Sequence, residues 1–393
     1  MDFNKALQFL SFIGIILLLI FRSKDNPINF PRYVLFYLLF VLYDLFGNYV
    51  LLDREFKIKY LFANQYIGAF NIMLIVENVV FSKLFYNKII KYSKIILIFA
   101  FVVILIQEAI NANFFVRTDL VNESRIVGGS ESRLSSIYSW IGQNSSGFGF
   151  VPIFLLIVEY LKKNQKKILV WILIGIVFAF LTKARWIMVN ALFVFVLLLV
   201  EHKDKVKQFF KYLLIIPILA FGTYLALNSV GINTEAIIKD RILESDKKDI
   251  SKKSAGTRLL AIKVFDKVFW DNPILGRGNV KYGLGGDGKQ DYKLKKALGG
   301  HSSQIHVGYL SLLYIYGIIG SFFFLGFLFL LLKRLYNEGK VTGIWAPFLG
   351  ILGLAFANLT MVYFSLLEMG FIIVLVASRF YKQLYIMEKN EYT

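Results

Sequence analysis

Apolar and polar positions are arranged along this chain in long blocks. Apolar runs of roughly 15–20 residues are each closed by Lys, Arg, Asn or Asp, and a helix of about 20 apolar residues crosses about 30 Å of hydrocarbon. The pattern therefore predicts an all-α, polytopic transmembrane helical bundle of about 11 or 12 spans. The predicted spans are about 6–21, 33–52, 60–81, 95–110, 147–161, 168–182, 186–200, 212–230, 317–332, 344–357 and 364–380.

The polar residues concentrate in one long interval between the eighth and ninth spans. It runs from about residue 231 to 304, and its charged first part (Glu235 to Lys253) predicts a solvated helix. We interpret residues 1–393 as a single transmembrane domain with this large loop inside it. The next apolar stretch, Ile305 to Leu332, is too long for one untilted span. We expect its first part to lie along the membrane surface and the ninth span to begin near Gly317.

The composition agrees with a membrane protein. The chain has 393 residues, of which 57% are hydrophobic and 18% charged, whereas a soluble domain has about 45–50% and about 25%. It has no cysteine, which excludes disulfides and thiolate metal sites.

The formal net charge of +19 has two interpretations. Nucleic-acid binding is one, but the lysines lie between apolar runs, where cytoplasmic loops of membrane proteins are rich in Lys and Arg. Among the short loops, those after the odd-numbered spans carry more basic residues in total than those after the even-numbered spans, so we expect the first set to be cytoplasmic. The large loop is too long for this rule, and its neighbours place it outside. The N-terminus is then outside and the C-terminus inside.

Arg185 departs from this charge bias. It lies in the short connection between spans six and seven, which the topology places at the outer surface. It is either an arginine whose charge reaches into water from the membrane edge or a contact for a lipid phosphate.

A second candidate arginine follows in the large loop. Thr257 is a plausible N-cap, and apolar residues at Leu259, Ile262, Phe265 and Phe269 have a helical period. Arg258 would lie in the first turn, where a positive charge opposes the helix macrodipole. Together with the free backbone amides it would form an anion-binding corner; the alternative is an exposed loop arginine.

A turn is predicted directly after this helix. Asn272-Pro273 ends the helix because proline cannot continue it, and Gly276 and Gly278 predict a tight turn around Arg277. A G-x-G pair without a preceding strand does not indicate a dinucleotide fold.

The three histidines differ in their surroundings. His202 lies in a cytoplasmic lysine-rich loop, where we expect it to be solvated. His301 lies in the outer loop, and His306 opens the apolar surface stretch. A histidine there either satisfies the membrane interface or acts as a base near neutral pH. Without carboxylates nearby, these histidines do not form a metal site, and we expect no metal and no cofactor.

Four motifs in this order resemble one known family. They are T-K-A-R (Thr182 to Arg185), G-T-R (Gly256 to Arg258), D-N-P-I-L-G-R-G (Asp271 to Gly278), and a histidine (His306) eleven residues before G-I-I-G (Gly317 to Gly320). The pattern resembles the O-antigen ligase and O-antigen polymerase superfamily of bacterial polytopic membrane glycosyltransferases, with a fold of the GT-C type. Two positions depart from it, since Val307 replaces a frequent asparagine and Ile315 a frequent glutamate.

This resemblance implies a metal-independent transfer of a glycan from a polyprenyl-diphosphate-linked donor to an acceptor sugar hydroxyl. The acceptor is a sugar or a lipid-linked chain. The reaction would assemble a surface polysaccharide, such as O-antigen of lipopolysaccharide, capsule or exopolysaccharide, at the outer (periplasmic) face of the bacterial inner membrane. The lipid bilayer and other members of a polysaccharide assembly complex would be partners, and nucleic acid would not.

The resemblance also implies roles for particular residues. Arg185 and Arg258 would hold the diphosphate, because guanidinium binds phosphate oxygens in a bidentate manner. His306 would orient or deprotonate the acceptor hydroxyl, with His301 as the substitute. Further candidates for contacts with the diphosphate or glycan are Arg277 and Asn272.

Two other functions remain open at the level of sequence. A transporter or flippase of lipid-linked oligosaccharides would use charges inside spans, and Glu77, Glu108 and Glu368 lie within or at the edge of apolar runs. Each of them could instead make a helix–helix contact. A non-catalytic scaffold of an assembly complex would not need the arginines. Within the enzyme class, the motifs do not separate a polymerase from a ligase.

Overall fold

The structure is a computed structural model of the whole chain. It describes residues 3–21, 27–51, 65–110, 114, 150–163, 168–182, 190–200, 218, 221–229, 231–232, 234–237, 254–278, 305, 307–359 and 369–391.

The described residues form helices and connections, with no strand among them. A π-helical turn, Gly47–Leu51, follows α2, and residues 221–229 are also helical. The α-helices are α1 (Phe3–Ile20), α2 (Arg32–Phe46), α3 (Gln65–Asn78), α4 (Lys83–Ala109), α5 (Phe150–Lys163), α6 (Ile168–Leu181), α7 (Asn190–Val200), α8 (Thr234–Ile237), α9 (Ser254–Phe269), α10 (Gly308–Thr342), α11 (Ala346–Ala357) and α12 (Met369–Glu391).

Within the described ranges, three helical segments are long and apolar enough to cross a membrane: Lys83–Ala109, Gly308–Thr342 and Gly370–Asn390. Shorter apolar helices cover Ala6–Ile20, Phe150–Leu161, Ile168–Leu181 and Ala346–Ala357. The chain is therefore a helical membrane protein. The count of 11 or 12 spans and the GT-C type of fold stay predictions.

The chain divides into two compact units. The first comprises Met1–Val80, Asp249–Arg334 and Ala355–Glu368, and the second Phe81–Lys248, Leu335–Leu354 and Met369–Thr393. The interpretation of residues 1–393 as one domain, with a loop at about 231–304, stays a prediction.

The core of the first unit is aromatic. Phe40 of α2 is fully buried, and its ring makes edge-on contacts with Tyr66 of α3 and with Tyr316 and Phe324 of α10, at centroid distances of 4.9–5.2 Å. Edge-to-face pairs of this kind add to the energy of apolar burial. Helices α2, α3 and α10 are thereby joined at one level of the bundle.

In the second unit, stacked rings join neighbouring helices. Phe150 of α5 stacks on Phe178 of α6 with centroids 4.2 Å apart, and Tyr86 of α4 stacks on Phe380 of α12 at 4.3 Å. Glu159 of α5 is completely buried, and its Oε2 accepts hydrogen bonds from the backbone N–H groups of Trp345 and Ala346 at 3.0 and 2.9 Å. This carboxylate thus caps the start of α11.

Helix α10 is interrupted where the sequence predicts a new span. Gly317 has φ 60° and ψ −167°, a conformation outside the helical range, whereas the residues on both sides are helical. The helix is thus interrupted at the residue where we expected the ninth span to begin, and the position of its first part along the membrane surface stays a prediction.

Helix α9 also exists as predicted, but two of its details differ. It begins at Ser254, so the prediction of Thr257 as the N-cap is wrong by about one turn. The buried face carries Ala261, Val264 and Val268, whereas Ile262, from the predicted apolar stripe, is 52% exposed. Periodicity predicted the helix correctly, but the small Ala261 defines its packed face.

Candidate functional site

The D-N-P-I-L-G-R-G motif forms a compact turn at the end of α9. The helix ends at Phe269, and the backbone N–H of Gly276 donates to the carbonyl of Asn272 at 2.9 Å. Gly276 and Gly278 have φ values of 73° and 71°, in the left-handed region that glycine adopts without strain. The predicted tight turn around Arg277 is confirmed.

This turn binds the broken part of α10 through backbone hydrogen bonds in both directions. The N–H groups of Arg277 and Gly278 donate to the carbonyls of Tyr314 and Ile315 at 3.0 and 2.8 Å. In the opposite direction, the N–H groups of the residues after the break donate to the turn: Ile318 to Pro273 at 2.9 Å and Ile319 to Ile274 at 3.2 Å. We call this arrangement of residues 272–278 and 314–319 the clasp.

The clasp needs glycine on both sides. A Cβ atom on Gly276 would lie 2.3 Å from the backbone nitrogen of Gly317, and one on Gly317 would lie 2.3 Å from the carbonyl oxygen of Ile274. Non-bonded atoms do not approach each other this closely, and the neighbouring backbone cannot move aside as a flexible side chain can. The D-N-P-I-L-G-R-G and G-I-I-G motifs, which are far apart in the sequence, therefore meet in the clasp.

Helix α2 adds a side chain to the clasp. The hydroxyl of Tyr43 donates to the carbonyl of Leu275 at 2.8 Å. Its ring lies against Gly320, where a Cβ atom would come within 2.5 Å of the ring. The last glycine of G-I-I-G thus makes room for the tyrosine that holds the turn.

A buried polar group lies next to this contact. Asp44 is 3% exposed and accepts a hydrogen bond from the hydroxyl of Tyr316 at 2.9 Å, and the Tyr66 hydroxyl lies 3.3 Å from that of Tyr316. Asp44 was not among the candidate residues predicted from the sequence. The available signal was its position as the one charged residue inside the predicted span 33–52, because ionisable residues in spans are costly and usually have a function.

Helix α9 packs on the first part of α10. Ala261, Val264 and Val268 form a cluster with Ile305 and Tyr314. The two positions that depart from the family pattern, Val307 and Ile315, pack against the same cluster as partly buried side chains. The apolar side chains at these two positions therefore contribute to the packing of α9 on the first part of α10.

Two of the predicted binding residues lie in the turn itself. Arg277 makes an ion pair with Asp271 at 2.8 Å, and their side chains are 25% and 33% exposed. Asn272 is exposed. The ion pair links the two ends of the motif and fixes the guanidinium beside the clasp.

The remaining predicted site residues are described only in part. Arg185, His301 and His306 lie outside the described residues. The backbone of Arg258 belongs to α9, where it is the fifth residue, so it lies just beyond the first turn in which we expected it; its side chain is not described. The roles of these four residues stay predictions.

No three side chains of the His, Cys, Asp or Glu type cluster as a metal site would require, within the part of the chain that the structure describes.

Comparison with known proteins agrees with the motifs. Residues 168–325 match the family model described as O-antigen ligase, and this region includes all four motifs that carried the resemblance. No curated protein matches the sequence. The chain is thus a helical membrane protein whose residues 168–325 are similar to the O-antigen ligase family, and this match supports the O-antigen ligase and polymerase superfamily.

Proposed function

We propose that this protein transfers a glycan from a polyprenyl-diphosphate-linked donor to an acceptor sugar hydroxyl, at the outer face of the bacterial inner membrane and without a metal ion. The product would be a surface polysaccharide such as O-antigen, capsule or exopolysaccharide. The observation that carries the proposal is the clasp: the two glycine motifs of an O-antigen ligase domain meet at the break of a helix that can cross a membrane.

The diphosphate of such a donor gains charge as its bond to the sugar breaks. Arginine is suited to that charge because it stays protonated and binds two phosphate oxygens at once. We assign this role to Arg185 and Arg258. Arg258 lies on α9, which packs against the first part of α10 and leads directly into the clasp.

The acceptor hydroxyl needs a group that orients it or takes its proton. Histidine performs such base chemistry near neutral pH. We assign this role to His306, two residues before the start of α10, with His301 as the substitute.

The turn supplies two further contacts in this proposal. Asn272 is exposed and offers both a donor and an acceptor, which suits sugar hydroxyls. Arg277 is partly exposed beside it and keeps its ion pair with Asp271, so we assign it to the edge of the donor site.

Transport of lipid-linked sugars is supported less well. Glu77, one of the three glutamates that favoured it, is 2% exposed, forms an ion pair with Arg334, and accepts a hydrogen bond from Tyr33 at 2.9 Å. It therefore makes a contact between helices of the first unit.

The test is an assay with the purified protein in liposomes and one lipid-linked repeat unit. Longer lipid-linked chains would identify a polymerase, whereas product that forms only after a second acceptor is added would identify a ligase. A chelator should leave the rate unchanged. Transbilayer movement of the repeat unit without new glycosidic bonds would instead favour the flippase.

A further inference from the structure

The outer surface of the clasp is strongly apolar. Trp270 is 67% exposed, Ile274 58% and Leu275 39%, although all three are large and hydrophobic. On α10, Ile318 of the clasp is 53% exposed, and Phe322, one turn further along the helix, is 61% exposed. We call these five residues the clasp patch. A contiguous apolar surface of this kind marks an interaction site.

The clasp patch is continuous with the face of α10 that is turned to lipid. Exposed apolar residues continue down the helix at Leu325 and Phe329, with helical spacing from Ile318 and Phe322. On a helix that crosses a membrane, such an exposed stripe contacts acyl chains. The hydrogen bonds from Ile318 and Ile319 to the turn place Ile274 at the end of this stripe.

The length of α10 gives the depth of the turn. Its apolar part ends at Lys333, fifteen residues after Ile318 in the sequence. At about 1.5 Å per residue this distance is about 22 Å, which is shorter than the hydrocarbon thickness of about 30 Å. If Lys333 marks one boundary of the hydrocarbon layer, the clasp lies near the opposite boundary, on its hydrocarbon side.

The hydrogen bonds of the turn suit such a position. Irregular backbone inside a membrane requires that its polar groups be satisfied by protein. The carbonyls of four successive residues, from Asn272 to Leu275, each accept a hydrogen bond, from Gly276 N, Ile318 N, Ile319 N and Tyr43 Oη respectively. The N–H groups of residues 276–278 all donate. The charges of Asp271 and Arg277 are paired.

We propose that the turn Trp270–Leu275 is a membrane anchor, seated at the boundary between the acyl chains and the headgroups, with Ile274 and Leu275 in contact with acyl chains and Trp270 at the interface. Tryptophan is enriched at this boundary because its ring is apolar and its N–H is polar. The indole N–H here donates to Asp266 at 3.1 Å. This inference does not depend on glycan transfer, since it concerns only where the turn lies.

The chain has no cysteine, so single labels can be placed without background. A nitroxide label on Ile274→Cys, in protein reconstituted into phospholipid nanodiscs, reports depth through its relative exposure to oxygen and to a water-soluble nickel chelate. Phe322→Cys is the lipid-facing reference. Glu388→Cys, on the exposed charged end of α12, is the aqueous reference.

We expect the label at Ile274 to show high oxygen and low nickel exposure, within the range of Phe322→Cys. Nickel exposure equal to that of Glu388→Cys would place the turn in water and overturn the proposal. Low exposure to both reagents would show that a second copy or another protein covers the patch, which would also overturn it. Leu275→Cys repeats the measurement if Ile274→Cys does not fold.

Discussion

Gly276 and Gly317 lie in backbone-to-backbone contact. A Cβ atom added to either residue would overlap the peptide backbone of the other residue. The distance from such an atom on Gly276 to the nitrogen of Gly317 would be 2.3 Å, and in the reverse direction 2.4 Å. Both residues also have positive φ. The two glycine motifs therefore meet in one structural contact.

Gly276→Ala and Gly317→Ala are expected to disrupt the clasp. Each adds a Cβ atom where only neighbouring backbone could make way, so we expect a loss of at least about 2–3 kcal/mol in stability and loss of glycan transfer. Thermal unfolding in detergent and the liposome assay measure the two effects.

Gly343→Ala is the matched control. Gly343 also has positive φ, at 71°, but nothing lies within 4 Å of a Cβ atom there. Its substitution should cost only the strain of the left-handed conformation, about 1–2 kcal/mol. If all three variants lose the same stability, steric contact is not what requires glycine in the clasp.

Tyr316→Phe tests the buried hydrogen bond to Asp44. The change removes the hydroxyl but keeps the ring, and it leaves the Asp44 carboxylate with one donor fewer in a buried position. We expect a loss of about 1–3 kcal/mol, measured by thermal unfolding. Tyr385→Phe, at an exposed position of α12, should change stability by less than about 0.5 kcal/mol.

A second substitution shows whether the effect runs through Asp44. In the Asp44→Asn background, Tyr316→Phe should cost less than in the native protein, because the two groups contact each other directly. Equal costs in the two backgrounds would contradict a specific interaction between the residues.

Glu77 and Arg334 form an ion pair in which the carboxylate is buried and the guanidinium is partly exposed, and losing one partner should cost more stability than losing both. Glu77→Leu alone leaves the arginine charge without its carboxylate, and we expect a loss of about 3–5 kcal/mol. Replacing both residues with leucine should recover part of this loss, since an apolar pair can replace a buried ion pair.

The same double variant separates the proposed function from transport. A glycosyltransferase should retain product formation once its stability is restored. A transporter that uses the Glu77 charge should stay inactive, so an inactive but stable double variant would argue for the transport interpretation.

Arg258→Ala and Arg185→Ala are expected to abolish transfer in protein that remains folded in the membrane, because each removes a charge assigned to the diphosphate. Loss of one such group typically reduces the rate by about 100-fold or more. Arg258→Lys should rescue it only partly, because lysine cannot bind two phosphate oxygens in the same plane.

Lys263→Ala provides the control on the same helix. Lys263 is exposed on α9, and its substitution removes one positive charge without an assigned contact. Transfer should stay close to the native rate. Unchanged product with the two arginine variants would refute their assignment.

The class of the protein follows from its sequence. Apolar blocks long enough for a bilayer predict membrane helices, because backbone groups in hydrocarbon must find partners within their own helix. The sequence also determined the helix before Asn272, the turn at Gly276 and Gly278, and the break at Gly317, because proline and glycine act locally through their own dihedral angles.

How these local features combine depends on contacts between residues that are distant in the sequence. Nothing in the spacing of the motifs indicates that Gly276 touches Gly317, that Tyr43 bonds to Leu275, or that Asp44 faces Tyr316. Those contacts join residues from about 40 to more than 270 positions apart, and their partners are set by packing between helices. Periodicity identifies a helix but not which neighbour its faces meet, and for that reason the buried face of α9 and the role of α2 emerged only from the folded chain.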